Sequence, residues 1–331
     1  MIKSQEIGSL KKPTWLLASL KSENVEEKEK AKDDASYINL RRLEDIGLDY
    51  VYDGEARRIE MYEQPIREIG GFIFADRIRS WDNKYYRKAR CVDEVKYLRN
   101  YHKDEFAFVK ANTKRIPKIP VTGPYTFMDW SYDEHYRDRS LFLLALSKVV
   151  NSVLGDLEAM GAPVLQVDEP AATAHPDEMD LFVEGFNAAV RGINSKVTVH
   201  ICYSGDEYTS LMPRLQSIHA SHFALEFANR DSTELGVSSE MRRGYRALEM
   251  FREYGSGKEL GLGVIDVHTD FIEPPELIRD RILYAIKVLK GASQIVVNPD
   301  CGLRTRSRDI AFSKLSNMIK GIKLAEEVAL L

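Results

Sequence analysis

The chain has 331 residues, 44% hydrophobic and 30% charged, a globular composition long enough to bury a large core in one large or two ordinary domains. Its net charge of -4 provides no basic field, so neither nucleic acid nor an anionic membrane surface is an expected partner. Three cysteines are too few for a disulfide framework and fit a reducing compartment, where thiols stay free for metal or catalysis.

The N-terminal stretch from Met1 to Gly8 lacks the basic-then-apolar pattern of a signal, and the apolar stretch from Leu141 to Val150 is interrupted by Ser147 and Lys148. A cytoplasmic protein with no membrane span is therefore expected. Short apolar runs alternate with helical patterns throughout. Eight of them read as strands: Gln5 to Ser9, Tyr50 to Gly54, Ile119 to Thr122, Val164 to Asp168, Val197 to Cys202, His222 to Phe227, Leu260 to Asp266 and Gln294 to Asn298. Several are rich in Val and Ile with little alternation, as in a parallel sheet covered on both faces.

The run from Lys21 to Asp34, dense in Glu and Lys, reads as a solvated helix face. The interval after Gly54 is longer than one crossover helix needs, so an inserted helical segment or lid is expected around 56–115, with aromatic and basic content in Trp81, Tyr85, Tyr86, Arg87 and Arg90. Cys91 within it reads as a small buried apolar residue. Leu141, Leu144, Val149, Val153 and Leu157 recur at helical spacing, Pro275 could open a helix, and Gly161 and Gly291 are candidate stops. Eight strands separated by helices predict an α/β fold, a single (β/α)8 TIM barrel over 1–331, with its active site at the C-terminal strand ends.

The polar residues at those ends are Ser9, Glu55, Asp168, His200 with Cys202, Glu226, His268 and Cys301. Taken singly, Glu226 could pair with an arginine and His268 could be a satisfied core histidine. Together at corresponding places in a repeating unit, they read as a reactive mouth. His200, Cys202, Glu226 and Cys301 offer the imidazole, thiolate and carboxylate ligands of a tetrahedral zinc site. Two thiolates and a carboxylate over-neutralise the dication, making a weak Lewis acid better suited to activating a thiol than a water. Gly255-Ser256-Gly257-Lys258 lacks the spacing of a phosphate loop, and Gly261-Leu262-Gly263 reads as close backbone packing. Neither a His-Glu-x-x-His sequence nor a Gly-x-Ser-x-Gly elbow occurs, which argues against hydrolysis.

Seven blocks in order then resemble one family. They are Glu-Ile-Gly-Ser (6–9), Asp-Gly-Glu (53–55), Thr-Gly-Pro-Tyr-Thr-Phe-Met-Asp-Trp-Ser (122–131), Gln-Val-Asp-Glu-Pro-Ala (166–171), His-Ile-Cys-Tyr-Ser (200–204), Asp-Val-His-Thr (266–269) and Val-Asn-Pro-Asp-Cys-Gly-Leu-Arg-Thr-Arg (297–306). Over essentially its whole length the sequence resembles the C-terminal catalytic barrel of cobalamin-independent methionine synthases. The resemblance implies methyl transfer to the thiol of homocysteine, with zinc on His200, Cys202, Glu226 and Cys301. It further implies that Ile7 and Ser9 bind the substrate carboxylate, Glu55 and Asp168 its ammonium, Trp130 the folate ring of a donor, and that His268 supplies a proton near the reacting methyl.

The sequence departs from the familiar enzymes in presenting no second, N-terminal barrel, and in the stretch Ala-Arg-Arg-Ile-Glu-Met after Glu55. In this it resembles archaeal core methionine synthases, for which a methylated corrinoid, on a partner protein, is the implied donor in place of polyglutamylated methyltetrahydrofolate. Three alternatives stand beside this reading: a zinc methyltransferase for another thiol or selenol, a decarboxylase of similar barrel fold, and a non-catalytic zinc-bound barrel that docks a corrinoid partner.

Overall fold

A computed structural model describes residues 1–79, 85–202 and 205–329. Trp81, Tyr203 and Ser204 lie outside the described residues. The strands are β1 (Lys3–Ser4), β2 (Tyr50–Val51), β3 (Ile69–Arg79), β4 (Tyr85–Tyr97), β5 (Ile116–Thr122), β6 (Tyr132–Asp133), β7 (Val164–Asp168), β8 (Lys196–Ile201), β9 (His222–Leu225), β10 (Glu259–Gly263) and β11 (Ile295–Asn298). Setting aside β3, β4 and β6, eight strands alternate with helices in one parallel sheet, the (β/α)8 barrel the sequence predicts. Most end earlier than expected. β1 stops at Ser4, with only a bridge from Gln5 to Tyr50, and β10 stops at Gly263.

The chain divides into two compact units, one of residues 1–57, 108–118 and 222–331, the other of 58–107 and 119–221. In the first, β9, β10, β11 and β1 pair in parallel, and β2 pairs with the start of β5. β11, Ile-Val-Val-Asn, is buried at every position, so its apolar run has no solvent face to alternate with. The helix Val25–Ile46 begins where the Asn24 side chain accepts the Glu26 and Glu27 N–H groups, and ends at Gly47 with φ of 103°. Pro275 opens the helix Pro275–Leu289 as expected, but the left-handed stop is Lys290, not Gly291. After β9, Asp231 takes ion pairs at 3.0 Å from both Arg242 and Arg281, all three out of solvent. Arg281 also donates to the Val264 carbonyl just past β10.

In the second unit β7 pairs with β8, both buried along nearly their whole length. The helix Arg139–Ala159 is capped by Asp138 and followed by Gly161 at φ of 82°. It is long and apolar enough to cross a membrane by length and composition, but half of its apolar window is buried inside the protein, as in a core helix. The segment expected to be helical around 56–115 is instead largely an antiparallel hairpin of β3 and β4, with β6 added parallel to β4 and a helix at Lys103–Asn112. The physical reason is a strand with one covered face: Ala89, Cys91 and Val95 are its buried residues among those described, while Arg90, Val92, Asp93, Glu94 and Lys96 are exposed. Cys91 is buried, and that burial pushes its thiol up to about 12.

Asp231→Asn should remove the one carboxylate shared by Arg242 and Arg281 and destabilise the fold by about 3–5 kcal/mol. Urea unfolding at neutral pH reads this directly. A variant within about 1 kcal/mol of the parent would mean that carbonyl acceptors alone satisfy the two guanidinium groups.

Candidate active site

The strand ends carry the reactive residues in both units. His200 lies in β8, 3% exposed, and Cys202 follows just past the strand, half-buried and on the same face by the period of two. The His200 carbonyl accepts the Glu169 N–H at 2.9 Å, and the Tyr208 hydroxyl donates to the Ile201 carbonyl at 2.8 Å. In the other unit, Glu226 is the first residue past β9 and is wholly buried. Arg230, four residues on, donates to its Oε1 at 3.0 Å, so the arginine pairing weighed for Glu226 is present. Burial pushes the Glu226 carboxyl up to about 9, and Asp300 and Cys301 add to the rise while Arg230 opposes it. Cys301 follows β11 in the same unit as Glu226, half-buried.

Asp300, read from sequence only as part of a block, governs this geometry. Fully buried, it accepts the Phe227 N–H at 3.0 Å, the Ala228 N–H at 3.1 Å and the Asn229 N–H at 2.8 Å. One side chain thus ties the loop after β9, which begins with Glu226, to the loop after β11, which carries Cys301. Burial raises Asp300 to about 7 although the three amides oppose the shift. A Cβ on Gly263 would lie 2.1 Å from Asp300 Oδ1, so β10 must end in glycine for the carboxylate to reach across. The close packing expected for Gly261 is also present, since its Cβ would meet Ala224 Cα at 2.7 Å. The sequence signal for Asp300 was its place directly before a cysteine at a strand end.

The residues implied for the substrate fall as follows. Ile7 is buried and Ser9 half-buried in the loop past β1. Glu55, 7% exposed, has φ of 56° and follows Gly54 at 68°, a left-handed pair that turns the chain sharply after β2. A Cβ on Gly8 would lie 3.3 Å from Glu55 Oε1, and one on Gly302 would lie 2.8 Å from the Ser9 nitrogen. The first unit therefore gathers residues 8–9, Glu55 and Cys301–Gly302 in one neighbourhood. Its His268 is exposed, in the loop past β10, with its N–H on Asp266 Oδ1 at 2.8 Å. Lys314, fully buried, steadies that loop through Glu273 Oε2 at 2.8 Å and the Asp266 carbonyl at 2.9 Å.

In the second unit Asp168 ends β7 and accepts from Gln166 Nε2 at 2.7 Å. Trp130 closes the helix Pro124–Asp129, half-buried, with the rings of Tyr86 and Tyr62 at 5.5 and 6.1 Å. Glu169 anchors the start of that helix through the Tyr125 and Thr126 N–H groups at 3.0 and 2.8 Å. A Cβ on Gly123 would meet the Glu169 carboxylate at 2.2 Å. Neither Glu169 nor Tyr62 was singled out from sequence, because their work is done through backbone amides and ring packing that no spacing rule marks.

The sequence profile described as "Cobalamin-independent synthase, Catalytic domain" matches residues 12–324. The methionine synthase of Thermoplasma volcanium is 42% identical, covering 96% of this chain and 95% of the relative. That of Pyrococcus abyssi is 41% identical, covering 97% and 92%. Among solved structures, a B12-independent methionine synthase from Shewanella sp. W3-18-1, in complex with selenomethionine, is similar with a TM-score of 0.85 at 26% identity, covering 100% of this chain and 99% of the other.

The raised Glu226 carboxyl has a signed consequence for the ion-free protein. Between the ordinary 4.5 and about 9 the folded state holds a proton that the unfolded chain has lost, so stability declines as pH rises through that window. Glu226→Gln cannot ionise and escapes the decline. In the presence of a chelator its stability advantage over the parent should widen from about pH 5 to pH 9, by at most about 1.4 kcal/mol per pH unit. Urea midpoints across that range test it. Parallel curves for parent and variant would mean that Glu226 is ionised in the ion-free fold.

Proposed function

This chain belongs to the family of cobalamin-independent methionine synthase catalytic domains, and on that premise we propose that it transfers a methyl group to the sulfur of L-homocysteine, giving L-methionine. The observation that carries the reading is the family match over residues 12–324, in a chain that holds His200, Cys202, Glu226 and Cys301 at or just past strand ends and also has Glu55 and Asp168. The proposed ion is zinc, held by His200, Cys202, Cys301 and Glu226. Two thiols, an imidazole and a carboxylate are borderline-soft donors that suit zinc. Glu226, wholly buried and raised by its surroundings, is a carboxyl that a cation would return to its ionised form. When bound, zinc lowers the pKa of an incoming thiol so that the thiolate is available at neutral pH.

The remaining work belongs to the chain. Glu55 and Asp168 take the substrate ammonium, and two carboxylates for one cation select an α-amino acid. Ile7 and Ser9 take its carboxylate through an N–H and a hydroxyl. With both ends fixed, the sulfur is left one trajectory toward the donor methyl, and alignment of this kind lowers the barrier through lost freedom already met in binding. The sulfur–carbon bond forms as the bond from methyl to its carrier breaks, and the electron pair stays on the carrier. A tertiary amine carrier such as methyltetrahydrofolate needs a proton to leave, which His268 supplies from its exposed loop, while Trp130 flanks the ring. A methylated corrinoid leaves without an acid, and on a partner protein it is the donor we favour. The other thiol and selenol substrates fit less well, because a substrate without an α-ammonium has no use for both carboxylates.

Homocysteine and zinc-loaded protein should yield methionine faster from free methylcobalamin than from methyltetrahydrofolate or its polyglutamate. A chelator should abolish turnover and zinc should restore it. Rapid turnover from the polyglutamate alone would reverse the donor preference, and a chelated, folded protein that still makes methionine would refute the metal's role. His268→Ala should cost about 100-fold or more with methyltetrahydrofolate and much less with methylcobalamin. Equal losses with both donors would remove the histidine from the proton step.

A further inference from the structure

Lys118 is fully buried near the start of β5, yet it belongs to none of the sets above. Its Nζ donates to the Glu6 carbonyl and, at 3.4 Å, to the Ile7 carbonyl. These oxygens are the far ends of the peptides whose N–H groups belong to Ile7 and Gly8. A lysine donor on the oxygen draws charge across the amide and makes its N–H a stronger donor. It also fixes the tilt of both peptide planes. Little regular structure does this otherwise, since β1 ends at Ser4 and its pairing reaches no further than Gln5. The neighbours on the far side are close: Gly8 lies against Glu55, Ser9 against Gly302, and the Leu10 N–H bonds the Gly54 carbonyl at 2.9 Å. An apolar side chain would occupy the same place without the cost of taking an amino group out of water, so the lysine is there for its donors.

We propose that Lys118 is a positioning residue for the substrate carboxylate: it orients and polarises the peptides of residues 6–8, and so confers the preference for an α-carboxylate. The inference rests on the reading that Ile7 and Ser9 receive that group. Its test is calorimetric binding of the product pair L-methionine and 3-(methylthio)propylamine, the same molecule without the carboxylate, to zinc-loaded protein. The parent prefers methionine. Lys118→Met should lower that preference about tenfold while the amine binds within about twofold of the parent, and Lys118→Gln, which keeps an N–H donor without the charge, should fall between. An unchanged ratio, or equal weakening of both ligands as a general structural loss would give, overturns the role of Lys118. Should Lys118→Met not fold, the ratio for Lys118→Gln decides in the same way. A parent with no preference for methionine over the amine sinks the carboxylate site itself, and the inference with it.

Discussion

The carboxylate of Asp300, closed off from water and holding three amide N–H groups, is the constraint on which the first unit's reactive end depends. Loop backbone cannot be buried without partners for its amides. One side chain supplies three of them and thereby sets where Glu226 begins its loop relative to Cys301. Glu169 repeats the device in the second unit, accepting the Tyr125 and Thr126 amides that open the short helix ending at Trp130. In both places a glycine makes room: Gly263 for Asp300 and Gly123 for Glu169. Buried acids thus hold the loops that carry the residues at the strand ends. A residue that works by holding another is as necessary to the geometry as the residue it holds.

The same end of the first unit concentrates acidic groups away from water. Glu226 and Asp300 are both raised above the ordinary carboxylate range by burial, and each lies near other acidic groups. Arg242 and Arg281 are balanced by Asp231, which they share. The Arg230 contact to Glu226 leaves that carboxyl far from its usual range.

The barrel was legible because its strands are covered on both faces: Val-Leu-Gln-Val-Asp of β7 and Ile-Val-Val-Asn of β11 are buried at every position and end in polar residues. His200, Cys202, Glu226 and Cys301 stood out for the same reason, as each closes or follows a buried strand. Strand ends were placed too late where the apolar run outlasts the paired strand, as past Ser4 and past Gly263, since a sequence pattern registers apolar character and not ladder register. The hairpin was missed because its alternation of Ala89, Cys91 and Val95 is carried by small residues among many charges, and length invited helices in its place. Lys118 and Asp300 were invisible as agents. Their contacts are to main-chain atoms far away in the chain, and no local spacing encodes them.

The hairpin bears one more consequence. β4 is flanked on both sides, by β3 and by β6, whereas β3 pairs only with β4 among the described strands, so an eleven-residue strand offers the remaining side of its backbone to any passing chain. Such a border ordinarily invites another polypeptide to dock as an additional ribbon. Here its ladder is broken by irregular register between Gly70 and Phe72 and between Phe74 and Arg77, and Asp76, Arg77 and Arg79 are exposed toward its far end. An irregular ladder and charged residues along a sheet border make a poor template for strand addition, a device by which such borders resist association.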